Sequence, residues 1–284
     1  MCFCNFRTPS RVLPSVNERL AQFQGLSWTR NRPSVGFRSI GVLLLGLILI
    51  PANGAEPTKP AGGAPEAARQ VLMRFIDASG GETSLRKQPT RLTIGSFESP
   101  AMGVHGTIEI LQAAPGQMFQ KLIIASTATI TMGTDGQQAW MNVPGVGVQL
   151  MDGLQRDQFI EESDLMALLE YPNRLANLGV KPSSKVNGID CLVVDGVNKL
   201  GKTETMYFDR ASGLLLRWDR SKLDPSSNWV DTETYFEDYR EVDGVKLPFK
   251  ISQKMPADQA FNLVITSVKH GVETPADRFK VPTK

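Results

Sequence analysis

Residues 106–132 read GTIEILQAAPGQMFQKLIIASTATITM, and this stretch decides the fold. Within it, 106–111, 118–124 and 127–132 are short runs that alternate apolar and polar residues or are dense in Ile and Thr, and Pro115-Gly116 separates the first two. Alternation puts successive side chains on opposite faces of an extended chain, and a Pro-Gly pair turns it back, so consecutive antiparallel strands are predicted. The pattern continues outward. Upstream lies 92–97; downstream a strand opens at Trp140, and others follow at 188–197, 204–209, 214–220, 232–240, 248–254 and 261–269. Asp135-Gly136, Asn187-Gly188, Asp195-Gly196, Ser212-Gly213 and Asp243-Gly244 supply turn signals among them.

Two helical intervals interrupt the strands. Ala68, Val71, Leu72, Phe75 and Ile76 recur at helical spacing, Pro65 suits a first turn, and Gly80-Gly81 ends the segment. A second interval, 153–179, sets Phe159, Met166 and Leu169 on one side and Glu161, Glu162, Asp164 and Glu170 on the other, with Tyr171-Pro172 limiting its length. About eleven strands in one antiparallel sheet, with helices on one face, make a mainly β (α+β) domain. So large a sheet must twist and curl toward a barrel or half-barrel. Its concave face is then either packed solid or left as an apolar cavity. Trp140, Trp218 and Trp229 suit such an interior, as plain core more often than as ligand contacts.

The chain has 284 residues with 31 Lys+Arg, 29 Asp+Glu, 41% hydrophobic residues and 3 Cys, which excludes a disordered tail and a disulfide scaffold. Residues 1–55 hold six Arg and one acid, Glu18, leaving 25 Lys+Arg against 28 Asp+Glu in the remainder. The basic excess therefore belongs to the N-terminal segment, and no nucleic-acid partner is expected.

Arg30, Arg32 and Arg38 precede the apolar run 40–50 (IGVLLLGLILI), which breaks at Pro51 and continues as Ala52-Asn53-Gly54-Ala55. These are the three regions of a secretory signal peptide, and the run is well short of the roughly 20 residues of a membrane-spanning helix. Residues 39–55 thus read as a signal cleaved near Gly54 or Ala55, giving a periplasmic or secreted protein. Before it, 1–38 is a long basic extension, unless translation starts near Val35; after it come a Pro/Gly-rich linker, 56–66, and one folded domain, 67–284. Cleavage removes Cys2 and Cys4. Cys191 remains in an apolar run as a buried, inert thiol, and no cysteine follows the signal to carry a lipid.

The sequence contains no G-x-S-x-G elbow, no H-E-x-x-H and no phosphate-binding G-x-x-x-x-G-K-[ST] loop. His105, at a turn, and His270, at a strand end, read as solvated residues. Carboxylates at 161–164 read as a helix surface and those at 231–238 as the outer face of a strand. No catalytic residue, metal or cofactor is expected.

FIDASGG at 75–81, GTIE at 106–109 with APGQ at 114–117, GTDGQQAW at 133–140, YFDRASGLLLRW at 207–218, YFEDYREVDGVKLPFK at 235–250 and VITSVKHGVETPADRFKVP at 264–282 form an ordered set. The set resembles periplasmic proteins of the LolA/LolB-like superfamily, and more closely its outer membrane lipoprotein-sorting-like members. The resemblance covers nearly all of 67–284. It implies an incomplete barrel of about eleven antiparallel strands, with lid helices over an apolar cavity that takes the acyl chains of lipids or lipoproteins. The chain departs from LolB in lacking its lipid-anchoring cysteine.

Strand alternation and helix phase nominate Phe75, Phe119, Trp140, Leu150, Phe159, Met166 and Trp218 as inward or lid-facing. The expected function is a monomeric periplasmic carrier or sensor of acyl chains, touching membranes or envelope proteins peripherally. The alternatives are an envelope interaction module of the same fold with a packed core, and a secreted hydrolase whose histidine would sit beside a carboxylate and a nucleophile in a cleft.

Overall fold

A computed structural model describes residues 64–125, 128–224, 227–256, 259–275 and 277–283. The basic extension, the signal and its cleavage site, and the linker up to residue 63 lie outside the described residues. The first elements are α1 (Ala64–Ala78), α2 (Gly81–Arg86), β1 (Thr90–Ser99), β2 (Val104–Ala113), β3 (Gln117–Ile124), β4 (Ala128–Thr134), β5 (Ala139–Val143) and β6 (Gly147–Met151). Next come α3 (Gly153–Glu162) and α4 (Ala167–Arg174). The chain ends in β7 (Ala176–Val186), β8 (Ile189–Val197), β9 (Thr203–Asp209), β10 (Leu215–Leu223), β11 (Trp229–Val242), β12 (Val245–Met255) and β13 (Gln259–His270).

Among the described residues all thirteen strands join one sheet in the order β6-β5-β4-β3-β2-β1-β13-β12-β11-β10-β9-β8-β7. It consists of two antiparallel meanders, β1–β6 and β7–β13, joined where β1 pairs with β13 from Arg91 opposite His270 to Glu98 opposite Asn262. Because β6 and β7 remain unpaired edges, the sheet is an incomplete barrel, mainly β, with few helices.

Thirteen strands replace the expected eleven, and the two additions are those edges. A central strand must bury one face and so alternates; an edge strand is under less pressure and is often guarded by polar residues and proline. In β6 no residue is buried, and β7 (ANLGVKPSSKV) is mostly exposed and contains Pro182. β7 also takes the end of the expected 153–179 helical interval, which is two short helices instead. Asp164 separates them, its Oδ1 accepting the Met166 N–H at 3.0 Å.

Asn187-Gly188 and Asp243-Gly244 close two-residue hairpins in which both residues have positive φ, as type I′ turns require. Asp195-Gly196, in contrast, lies inside β8 and is not a turn. A Cβ on Gly196 would come within 2.8 Å of Leu175 Cβ, so this glycine lets the segment leaving α4 pass over the strand.

The main core lies between α1 and the concave face, where Leu72 and Phe75 meet Phe208, Val194 and Met206, with the Phe75 and Phe208 ring centroids 5.3 Å apart. A second, smaller core lies on the outer face of the first meander. Leu111, Ala113, Phe119 and Trp140 pack there under Phe279 of the C-terminal segment. Trp140 Nε1 donates to the Phe279 carbonyl at 3.1 Å, and the Arg278 guanidinium lies 3.9 Å from the centre of the Phe119 ring.

The end of α1 is fixed to the β11–β12 hairpin by a Lys246 N–H bond to the Ser79 carbonyl, 2.9 Å, and by Gly80 at φ 118°. A Cβ on Gly80 would overlap the Gly244 carbonyl oxygen. Gly80→Ala is therefore expected to destabilise the fold by about 2–4 kcal/mol. Urea unfolding should show a lower midpoint at unchanged slope; an unshifted midpoint would refute this packing.

Candidate functional site

The inward faces of the middle strands and the helices above them bound a partly open cavity of ≈ 210 Å³. Phe236, Ile251, Phe261, Leu263 and Ile265 of β11, β12 and β13 line one side; Phe75 of α1 and Leu168 of α4 roof it; Trp218 of β10 stands at its wall. Alternation puts them there. On β11, Thr232, Thr234 and Phe236 are buried, while Asp231, Glu233, Tyr235 and Glu237 lie on the outer side.

Several polar groups on this lining are held by neighbouring groups. Gln253 Nε2 donates to Thr234 Oγ1 at 3.1 Å. Arg91 of β1 donates through Nη2 to Gln112 Oε1 at 2.7 Å, and Gln112 Nε2 donates to the Ser163 carbonyl at 3.2 Å, which links the sheet to the end of α3. Burial pulls the Arg91 guanidinium down to about 10, so it remains a cation at neutral pH.

Beside the cavity lies a buried ionic cluster. The expectation that Glu161, Glu162 and Ser163 decorate a helix surface is corrected: all three are buried, Glu162 at 3% exposure. For Glu162 the cause is β10, whose alternate residues Trp218, Arg220 and Lys222 are all buried and turn two cations toward it. Glu162 Oε1 accepts from Lys222 Nζ at 2.7 Å and lies 3.5 Å from Arg220 Nη2. The Arg220 guanidinium sits 4.2 Å from the centre of the Trp218 ring. Glu204, also buried, accepts from Asn198 Nδ2 at 2.9 Å. Burial pushes the Glu161 carboxyl up to about 8 and raises Glu204 as well. Burial also pulls the Lys222 ammonium down to about 8, against the opposing attraction of Glu162. Glu162 and Arg220 border both this cluster and the apolar cavity. The sequence signal that went unused was the Trp218, Arg220, Lys222 series on one face of a strand.

Of the seven residues nominated from sequence, Phe75 and Trp218 line the cavity. Phe159 is fully buried in the main core without reaching the lining, and half-buried Met166 precedes α4, also off the lining. Phe119 and Trp140 belong to the outer core, because Met118 and Met141 take the inward phase on their strands. Leu150, on edge strand β6, is 62% exposed. Trp229 is exposed too, with Lys202 Nζ 4.6 Å from its ring centroid. His105 is exposed. The His270 side chain is buried, contrary to expectation, with Nδ1 3.1 Å from Asp243 Oδ2, and burial lowers its pKa. Cys191 is buried, 3.4 Å from the Ile189 carbonyl, and burial pushes its thiol up.

No family model matches this sequence, and neither does any curated protein. Solved structures do match. A DUF1329 family protein from Desulfovibrio piger superposes with a TM-score of 0.53 at 12% identity, over 76% of this chain and 97% of its own. A LolA superfamily protein from Nitrosomonas europaea gives 0.51 at 9% identity, over 77% and 98%. A domain from Vibrio parahaemolyticus described as outer membrane lipoprotein-sorting gives 0.50 at 10% identity, over 76% and 97%. The chain thus has a LolA/LolB-like fold.

The buried acids make stability depend on pH. A carboxyl raised from 4.5 to about 8 binds its proton more tightly in the folded state, so its contribution is complete below about 4.5 and is lost as pH rises through 8. Lys222, lowered from 10.5 to about 8, acts in the opposite sense and only above that range. Between pH 5 and 8.5, unfolding free energy should therefore fall more steeply for the unaltered protein than for Glu161→Gln, by on the order of 2–4 kcal/mol. Urea titrations across that range measure it, and parallel profiles would mean that Glu161 is ionised in the fold.

Proposed function

We propose that the chain is a LolA-like cell-envelope protein that holds an acyl chain of a lipid or lipoprotein in this cavity, as a carrier or sensor in the periplasm. The carrying observation is the apolar space of ≈ 210 Å³ beneath α1 and α4, where a packed interior would otherwise lie. It exceeds the ~150 Å³ apolar cavity that admits benzene. It is smaller than the ~300–1,000 Å³ sites that enclose drug-sized ligands. That size favours one chain over a bulky multi-chain cargo. At about 0.8 kcal/mol per buried CH₂, ten methylenes supply on the order of 8 kcal/mol before the cost of ordering the chain.

The Vibrio protein's description and the LolA superfamily protein support the envelope setting, and the signal-like segment 39–55 supports export. Binding in the cavity is favoured over catalysis there, since neither histidine lies on the cavity lining. An interaction module with a packed core is disfavoured, because its premise was a filled interior.

Native mass spectrometry with lipid extraction, on protein secreted and purified without detergent, is expected to find one bound lipid per chain. Val268→Trp, which fills the cavity, should cut uptake of a fluorescent fatty acid at least tenfold. Val180→Glu, on the exposed edge strand β7, should leave it unchanged. An empty protein that also refuses the fatty acid would overturn the proposal.

A further inference from the structure

We infer that Arg91 is the head-group site of this cavity, and that the cargo is a single-chain amphiphile with an oxyanion head, carboxylate or phosphate. The inference rests on the cavity holding an acyl chain.

Three cationic side chains line the cavity: Arg91, Arg220 and Lys246. Lys246 is exposed, and Arg220 lies beside Glu162 at 3.5 Å. Arg91 differs from Lys246 in burial and from Arg220 in having no carboxylate neighbour among the described residues. Among the described residues no carboxylate lies within ion-pair distance of it, and its hydrogen bond goes to a neutral amide, Gln112 Oε1 at 2.7 Å. Its Nε is shielded from solvent and has no hydrogen-bond partner among the described residues. A buried donor left unmade costs about 1–3 kcal/mol, and more when it belongs to a charged group, so such a group calls for a partner. A guanidinium presents paired N–H donors in a planar fork that matches an oxyanion, and such charge-assisted bonds strengthen where water is excluded.

The surroundings leave that role open to a guest. Asp164 shares the lining, but its carboxylate accepts the Met166 N–H and lies 3.9 Å from Arg174. Glu162 is held by Lys222. His270, opposite Arg91 in the β1–β13 ladder, has its pKa lowered by burial and adds no positive charge at neutral pH. An acyl chain along Ile110, Leu263 and Val268 would thus end at one unneutralised cation.

Oleate, 1-oleoyl lysophosphatidate and methyl oleate share a chain and differ only in head, and each can be titrated calorimetrically into the delipidated full-length secreted protein. Both anions should bind at least tenfold more tightly than the ester, and their ranking identifies carboxylate or phosphate as the native head. Arg91→Gln should bring both anions to the level of the ester, whose own affinity should change less than twofold, and Arg91→Lys should restore part of the difference. Equal affinity of all three ligands for the unaltered protein would overturn the head-group site while leaving the cavity reading intact. No binding of any of them would overturn the cavity reading itself. If Arg91→Gln does not fold, the ranking of heads by the unaltered protein decides.

Discussion

The pairing of β1 with β13 is the constraint on which the other features depend. Each meander could exist as an open ribbon; only this join of the first strand to the last makes one sheet long enough to curl around an interior. Such non-local pairing must meet the entropy of closing a very long loop before any burial compensates it. The topology has a further effect. The first meander ends at one edge, β6, and the second begins at the other, β7, so the segment carrying α3 and α4 has to cross the open face of the sheet. Strand order makes the segment join the two edges, and the contacts of α3 with β2 and β10 set it over the concave side.

The central strands were readable from sequence because each must bury one face. β11 shows this directly, with Thr232, Thr234 and Phe236 inward between outward acids. Phase was harder to read where both faces are covered. Met118 and Phe119 are both apolar because one faces the main core and the other lies beneath the C-terminal segment, so alternation gave no clue to which side was which. Leu150 misled for the opposite reason, lying on an edge where neither face is enforced. Phe75 was better placed, since a helix against a sheet has a single buried stripe.

The buried acids were unreadable for a more general reason. Glu162 looks like a surface residue until Lys222 and Arg220 are brought opposite it by a strand far along the chain. A buried ion pair adds little net stability over a well-packed apolar contact, but separating its members is costly. Here the pairing sets where α3 can rest on β10, so the roof has one seat on the sheet. That seat lies at the border of the apolar space, where the charges are held by one another.

The crossing segment acts on the curled sheet as a string does on a bow. Its ends are tied to the two tips of the arc, and its span is set by covalent bonds and by helices that rise about 1.5 Å per residue. Widening the arc draws this string taut. The upper limit on the width of the cavity is therefore written in connectivity, in the number of residues between β6 and β7, and not only in the side chains that line it.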